Sequence, residues 1–278
     1  MAIVLDFDGT ITTQDTIEVL AQHAISFHKE QHDRDLSDAW KQILESYYGD
    51  YSDYVSNYAV PQDKRVSLEE ETKFLNGLQE VDMASLRRVE ESKIFDGISS
   101  SDLFSAGVSA VEEGNVILRP GISELLTTAQ KHGWLIYIVS VNWSSSFIEG
   151  VLQHFVANVQ IVSNEVVANG KISGPNGTGV MATSADKARA LANLPGLDAK
   201  PLVYFGDSST DIECLSMSSG IVLSPAADSS LLKTLSRIGL EVPHVRDRKD
   251  IHRLSWARDF TEILEAGALS LLEPQPKT

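Results

Sequence analysis

Apolar residues in this chain come in short unbroken runs separated by long amphipathic stretches. The run in "IVLDF" (residues 3–7) is β-branched and has no polar face, which predicts a strand buried on both sides. "TTQDT" (12–16) follows, and Asp15 and Thr16 are suited to cap a helix beginning at "IEVLAQHAI". From there to about residue 115 the pattern is helical and charged, with few strand signals. "RPG" then breaks the chain before a new amphipathic helix, and "GWLIYIVSVNW" (133–143) predicts a second buried strand. "SSSFIEGVLQHF" (144–155) reads as a helix. "VQIVSNEVVANGKISG" (159–174) reads as a hairpin, with Asn169-Gly170 at its turn. Beyond the loop "GPNGTG" come a helix over 183–194, capped by Thr183 or Ser184, then strand, loop and helix over 200–218, and a strand at "GIVLSP". The tail "LLEPQPKT" (271–278) is expected to fray, and no role is assigned to 240–278.

Strands alternating with helices predict an α/β fold, a doubly wound, Rossmann-like parallel sheet with helices on both faces. The helical stretch interrupting that alternation is expected to be a separate cap. This gives a core of residues 1–13 and 116–278 and a cap of residues 14–115. The 278 residues, 42% of them hydrophobic, suffice for a large core with a smaller companion. A net charge of −16, with no basic run longer than "RDRK", argues against non-specific nucleic-acid binding. The single cysteine, Cys214, excludes an internal disulfide and fits a reducing compartment. Acidic Asp6 interrupts the first apolar run, and no run approaches the ~20 residues that span a bilayer. A cytoplasmic protein with no membrane partner is the expectation.

In an open parallel sheet, ligands bind beyond the carboxyl ends of the strands. Asp6 and Asp8 stand there after the first strand, on one face because they are two residues apart. Ser140 ends the second strand, Asp207 and Asp211 in "GDSSTD" follow "PLVYF", and Lys187 opens a helix. Two carboxylates on one face repel, so something positive is expected between them. Asp6, Asp8 and Asp207 supply hard oxygen ligands suited to Mg²⁺, and Lys187 adds a fixed positive charge. Together they would draw in an anionic group such as a phosphate. Gly9 permits a sharp turn, and Thr10 and Ser140 offer hydroxyl donors to phosphate oxygens.

"DFDGT", a serine after a second apolar strand, a later lysine and "GDSSTD" resemble the four motifs of the haloacid dehalogenase superfamily. The order, and a helical insertion after the first strand, resemble its phosphoserine-phosphatase-like branch. The motifs span residues 6 to 211, and the insertion and the last sixty or so residues carry no such match. The resemblance implies that Asp6 is a nucleophile forming an aspartyl-phosphate and that Asp8 protonates the leaving oxygen, then activates water. It implies that Ser140 and Lys187 hold the phosphate. It implies that Asp207 ligates Mg²⁺ with the Asp6 carboxylate and the Asp8 main-chain carbonyl, and that Asp211 is a further ligand or an orienting group. The acid at Asp8 favours a phosphatase or phosphomutase over a dehalogenase.

Other residues are more ambiguous. Asp15 matches an acidic position that contacts the substrate amine in phosphoserine phosphatases, yet it also suits a helix cap. Trp143 either lines the substrate entrance or packs. The tyrosines of "YYGDYSDYVSNY" (47–58) read as packing rather than substrate stacking. His28 and His32 share a helix face without a third ligand. The expectation is a Mg²⁺-dependent phosphatase of a small phosphorylated metabolite. A phosphomutase and a catalytically silent binding protein on the same fold are the alternatives. The sequence names neither substrate nor oligomeric state.

Overall fold

The computed structural model describes residues 1–197, 200–249 and 253–269, and the predicted frayed tail at 271–278 lies outside them. Strand β1 (Ala2–Leu5) is followed by five helices: α1 (Ile17–His32), α2 (Ser37–Asn57), α3 (Leu68–Gly77), α4 (Gln79–Ser92) and α5 (Ser100–Glu112). Then come α6 (Ile122–Lys131), β2 (Leu135–Val139), α7 (Ser145–Val151) and β3 (Gln160–Val162). Next are β4 (Glu165–Val166), β5 (Ile172–Ser173), α8 (Ser184–Ala192), β6 (Leu202–Gly206) and α9 (Ile212–Met217). The described chain closes with β7 (Ser219–Leu223), α10 (Ser230–Arg237), β8 (Leu254–Ala257) and α11 (Phe260–Glu265).

Six strands form one parallel sheet in the order β3-β2-β1-β6-β7-β8. The period-2 alternation of side chains explains why the central strands are apolar throughout. Ile3 and Leu5 of β1, Ile136 and Ile138 of β2, and Val203 and Phe205 of β6 enter one apolar layer. Val4, Tyr137, Val139 and Tyr204 enter the layer on the opposite face. No helix among the described residues is long and apolar enough to cross a membrane.

One sequence expectation is corrected here, and one strand was not anticipated. The stretch predicted as one hairpin divides: Gln160–Val162 pairs in parallel with Tyr137–Val139, and the hairpin itself is only the β4–β5 pair. Asn164 makes the division, because its amide donates to the carbonyls of Val141 and Met181 at 3.0 and 2.9 Å and bends the chain out of the sheet. Strand β8 was not predicted. It has four residues, and buried Ser255 interrupts its apolar pattern.

The chain enters and leaves the five-helix insertion through two adjacent segments. The amide of Thr13 donates to Ile117 (2.9 Å) and that of Arg119 to Ile11 (2.8 Å), so the two connections brace each other. Farther away, buried Glu71 of α3 accepts from Arg65 at 2.8 Å and pairs with Arg237 of α10 at 3.0 Å. The Arg65 guanidinium also lies 3.8 Å over the Phe74 ring, an arrangement that reinforces the contact. Helix α5 meets α7 through two glycines. A Cβ on Gly107 would stand 2.3 Å from the Phe147 carbonyl oxygen, and one on Gly150 would stand 2.0 Å from that of Phe104. The helices can approach this closely only without side chains there. Gly150→Ala is therefore expected to destabilise the protein by about 1–3 kcal/mol in urea denaturation. An unchanged midpoint would mean that α5 and α7 can part without cost.

Candidate active site

Strands β1 and β6 are neighbours, yet the chain proceeds outward from them in opposite directions, through β2 and β3 on one side and β7 and β8 on the other. This reversal leaves a crevice at their carboxyl ends. Asp6 directly follows β1 and Asp207 directly follows β6, so sheet pairing brings them to one place across 201 positions of sequence. Carboxylate oxygens of Asp6, Asp207 and Asp211 lie within 4.8 Å of one another.

The positive charge is Lys187, but it stands between Asp6 and Asp211 and not, as expected, between Asp6 and Asp8. It is wholly buried, and its Nζ donates to Asp6 Oδ1 at 2.5 Å and to Asp211 Oδ1 at 2.8 Å. Burial would lower this ammonium, but Asp211 and Asp6 outweigh it and hold it above the usual lysine range. The N-terminal capping box of α8, with Thr183 and Asp186 bonded reciprocally, sets the helix so that Lys187 points into the crevice. Burial and the neighbouring acids Asp211 and Asp207 raise Asp6, with Lys187 opposing them. Burial, then Asp211, pushes Asp207 up to about 7.

Asp211 has little capacity left for a further partner. Its Oδ1 accepts from Lys187 and from Tyr204 (2.7 Å), and its Oδ2 accepts the amides of Asp207 and Ser208, each at 3.1 Å. Of the two sequence readings, the orienting one fits this geometry. Thr10 departs from expectation. Its hydroxyl donates to Asp207 Oδ1 at 2.9 Å, so it positions that carboxylate instead of standing free for a phosphate. Ser140 is fully buried at the end of β2, and its Oγ accepts the Asn142 amide at 3.1 Å. Nearby Ser144 caps α7.

Asp8 is held by a different set of donors. Its Oδ1 accepts from the Thr16 amide (2.8 Å) and hydroxyl (2.6 Å), and its Oδ2 from Asn142 Nδ2 (2.8 Å). All are neutral, so burial and then the charge of Asp15 push Asp8 up to about 6. Asp15 itself donates nothing to this set. Its Oδ1 accepts the Ile17 amide at 2.8 Å, as a helix-start residue does, while its side chain also borders the crevice.

Asn142, Thr16, Arg119 and Tyr204 were not picked out from the sequence as site residues. Arg119 donates to the carbonyls of Gly9, Thr10 (2.9 Å) and Arg258 (2.9 Å) and so clamps the loop after β1. Only Asn142 had a legible signal, two residues beyond Ser140 at a strand end. Thr16 and Tyr204 find their partners, Asp8 and Asp211, across short turns, and Arg119 finds Thr10 from 109 positions away.

The donors present suit a divalent ion. They are all oxygen, as Mg²⁺ prefers. Among the described residues no hydrogen bond reaches Asp6 Oδ2 or Asp207 Oδ2, although the other oxygen of each is engaged. Gly9 has φ of +72°, and a Cβ there would stand 2.2 Å from Asp207 Oδ2, so only glycine lets the loop approach this carboxylate. His28 and His32 join no comparable cluster among the described residues.

Two neighbouring cavities open at this point. The smaller, about 240 Å³, is bordered by Asp6, Asp8, Asn142 and Asp207. The larger, about 500 Å³, lies under the helical insertion, and Asp15, Ile17, Val141 and Trp143 border both. Trp143 thus lines the entrance and also packs, edge-to-face, on Trp40 and Phe95. The tyrosine run divides as well: Tyr47 and Tyr48 border the larger cavity, whereas Tyr54 and Tyr58 pack on Phe74.

Residues 3–216 match the model of the haloacid dehalogenase-like hydrolase family. A CTO1 family protein of Schizosaccharomyces pombe is 30% identical over 241 residues, covering 78% of this chain and 79% of the relative. Among solved structures, a phospho-aspartyl intermediate analogue of phosphoserine phosphatase aligns with a TM-score of 0.51 at 14% identity, over 95% of this chain and 97% of that one. A probable phosphoserine phosphatase from Vibrio cholerae aligns with a TM-score of 0.55 at 16% identity, over 97% of this chain and 65% of that one. These two likenesses concern the fold.

Lys187→Met is expected to destabilise the protein by about 3–5 kcal/mol, since it leaves two buried carboxylates without their counter-charge. The deficit should widen as pH rises, because folding then buries ionised carboxylates without a counter-charge, and Asp211→Asn in the same chain should recover part of it. Denaturation at several pH values checks this. A small, pH-independent effect would contradict the assigned charge balance.

Proposed function

Because the chain belongs to the haloacid dehalogenase-like hydrolase family, we propose that it is a Mg²⁺-dependent phosphatase of a small phosphorylated metabolite. The observation that carries this reading is the convergence of Asp6, Asp207 and Asp211 at the sheet's switch point, with Lys187 bonded to Asp6 and Asp211. Asp6 attacks phosphorus, the bond to the leaving oxygen breaks, and Asp8 gives that oxygen its proton. Asp8 then takes a proton from water, the water oxygen attacks phosphorus, and inorganic phosphate leaves as the Asp6 carboxylate is restored. Lys187 steadies Asp6 and retains a third N–H for a phosphoryl oxygen. Ser140 keeps a hydroxyl hydrogen for another.

Asp6, Asp207 and the main-chain carbonyl of Asp8 would hold Mg²⁺, which supplies charge neutralisation for the transferring phosphoryl group. Thr10 and Asp211 would then act by orienting Asp207 and Lys187. Thr16 and Asn142 aim the Asp8 carboxylate, and the raised affinity of Asp8 for a proton suits a group that both gives and takes one. We assign residues 14–115 to a cap that shields the transfer from bulk water. A metabolite ester as substrate fits a cytoplasmic location.

Phosphate release from p-nitrophenyl phosphate and a metabolite panel tests the reading. Release should require Mg²⁺, stop with EDTA, and fall at least ~10³-fold in Asp6→Asn with the fold intact. No release from any ester with Mg²⁺ present would favour a silent binding protein. Asn142→Ala should lower kcat about 10-fold or more while changing KM little. An unchanged kcat would remove Asn142 as the residue that aims Asp8.

A further inference from the structure

The larger cavity bears on what the phosphate ester carries. Its volume of about 500 Å³ is that of a small-molecule site, and it shares Asp15, Ile17, Val141 and Trp143 with the smaller cavity at the reaction mouth. Its walls are mainly apolar, and both parts of the chain supply them. Ile17, Leu44 and Leu86 come from the helical insertion, and Val141, Trp143 and Val180 from the core. All six are only half-buried, although each packs on one of the two hydrophobic layers. Apolar surface therefore faces this space from two sides, and an apolar occupant would displace water from both.

The polar groups at the border are already engaged. The Glu18 oxygens accept from Gln22 Nε2 at 2.8 Å and from Trp40 Nε1 at 2.9 Å, and Asp15 accepts the Ile17 amide. Both acids are exposed, so water meets their remaining capacity. Asp82 is hydrogen-bonded with Tyr47. Trp40 donates its one polar hydrogen to Glu18 and so presents only carbon to the cavity. Among the described residues no lysine, arginine or histidine borders this space.

We propose that the alcohol portion of the substrate is uncharged and apolar, a branched-alkyl or aryl group seated between insertion and core. The proposal rests on the phosphatase reading above for the location of the ester bond. A carboxylate or second phosphate on the leaving group would meet Asp15, Glu18 and Asp82 and no basic side chain. A polyol would lose its water to walls with few free partners. A cation would gain little from acids that are exposed and already hydrogen-bonded. An apolar group covers the half-buried side chains and requires no partner.

Calorimetric titration of the full chain with three alcohols of one shape tests this. They are 4-isopropylbenzyl alcohol, 4-(hydroxymethyl)benzoate and 4-(hydroxymethyl)benzamidinium, which differ only in the group opposite the hydroxymethyl. The isopropyl compound should bind about tenfold or more tightly than either charged one. That margin should shrink several-fold in Leu44→Asn or Leu86→Asn. Equal or tighter binding of either charged compound overturns the proposal. So does an absence of measurable binding by the isopropyl compound, or a margin that survives in both variants. The phosphatase reading is judged separately, by Mg²⁺-dependent phosphate release from p-nitrophenyl phosphate. Release without apolar preference removes only the substrate class, and preference without release removes only the chemistry.

Discussion

Lys187 holds its ammonium out of solvent, 2.5 Å from Asp6 and 2.8 Å from Asp211. The organisation of the crevice follows from this contact. Two unit charges 4 Å apart interact by about 4 kcal/mol at an effective dielectric of 20, comparable to the whole stability of many domains. Several carboxylates at one mouth therefore require a fixed cation. Each acid is satisfied differently. Asp6 and Asp211 share Lys187, Asp207 takes the Thr10 hydroxyl, and Asp8 takes only neutral donors from Thr16 and Asn142. Two like side chains at positions i and i+2 thereby stand in different surroundings, one raised in the face of an opposing lysine and the other raised among neutral donors.

The sheet makes this charge pattern possible. β1 lies between β2 and β6, so the loops after three strands meet at one end while their apolar sides anchor two hydrophobic layers. The β1 loop is stiffened from beneath by Arg119, which comes from the segment returning out of the helical insertion. The group that fixes the loop after β1 is thus adjacent in sequence to the connection that leads out of the insertion. Across the molecule, Glu71 and Arg237 join the insertion to α10, so any opening motion has to pivot about these contacts or break them.

Much of this arrangement was legible in the sequence because it is local. The apolar run before Asp6, the strand before Asp207 and the helix carrying Lys187 each have a clear period, and the strand ends locate the acids. What escaped is non-local. Thr10 reads as a free hydroxyl until Asp207, distant in the chain, is found accepting its proton. Asn142 stands two residues past a strand end, but its partner Asp8 arrives only through the pairing of β1 and β2. The "VQIV" segment looked like half a hairpin because period alone does not reveal that β2 has an open edge waiting for it. The tyrosine run read as packing throughout, whereas Tyr54 and Tyr58 pack on Phe74 while Tyr47 and Tyr48 border the cavity.

The central claim is that the Asp6 carboxylate accepts the phosphoryl group. Peptide mapping by mass spectrometry after acid quench, during steady turnover of a phosphomonoester with Mg²⁺, examines it directly. The account predicts one added phosphoryl group on the peptide containing Asp6, labile to mild base and hydroxylamine. Turnover with a phosphoryl group on any other side chain, or with none trapped under conditions in which Asp8→Asn also accumulates none, would contradict it.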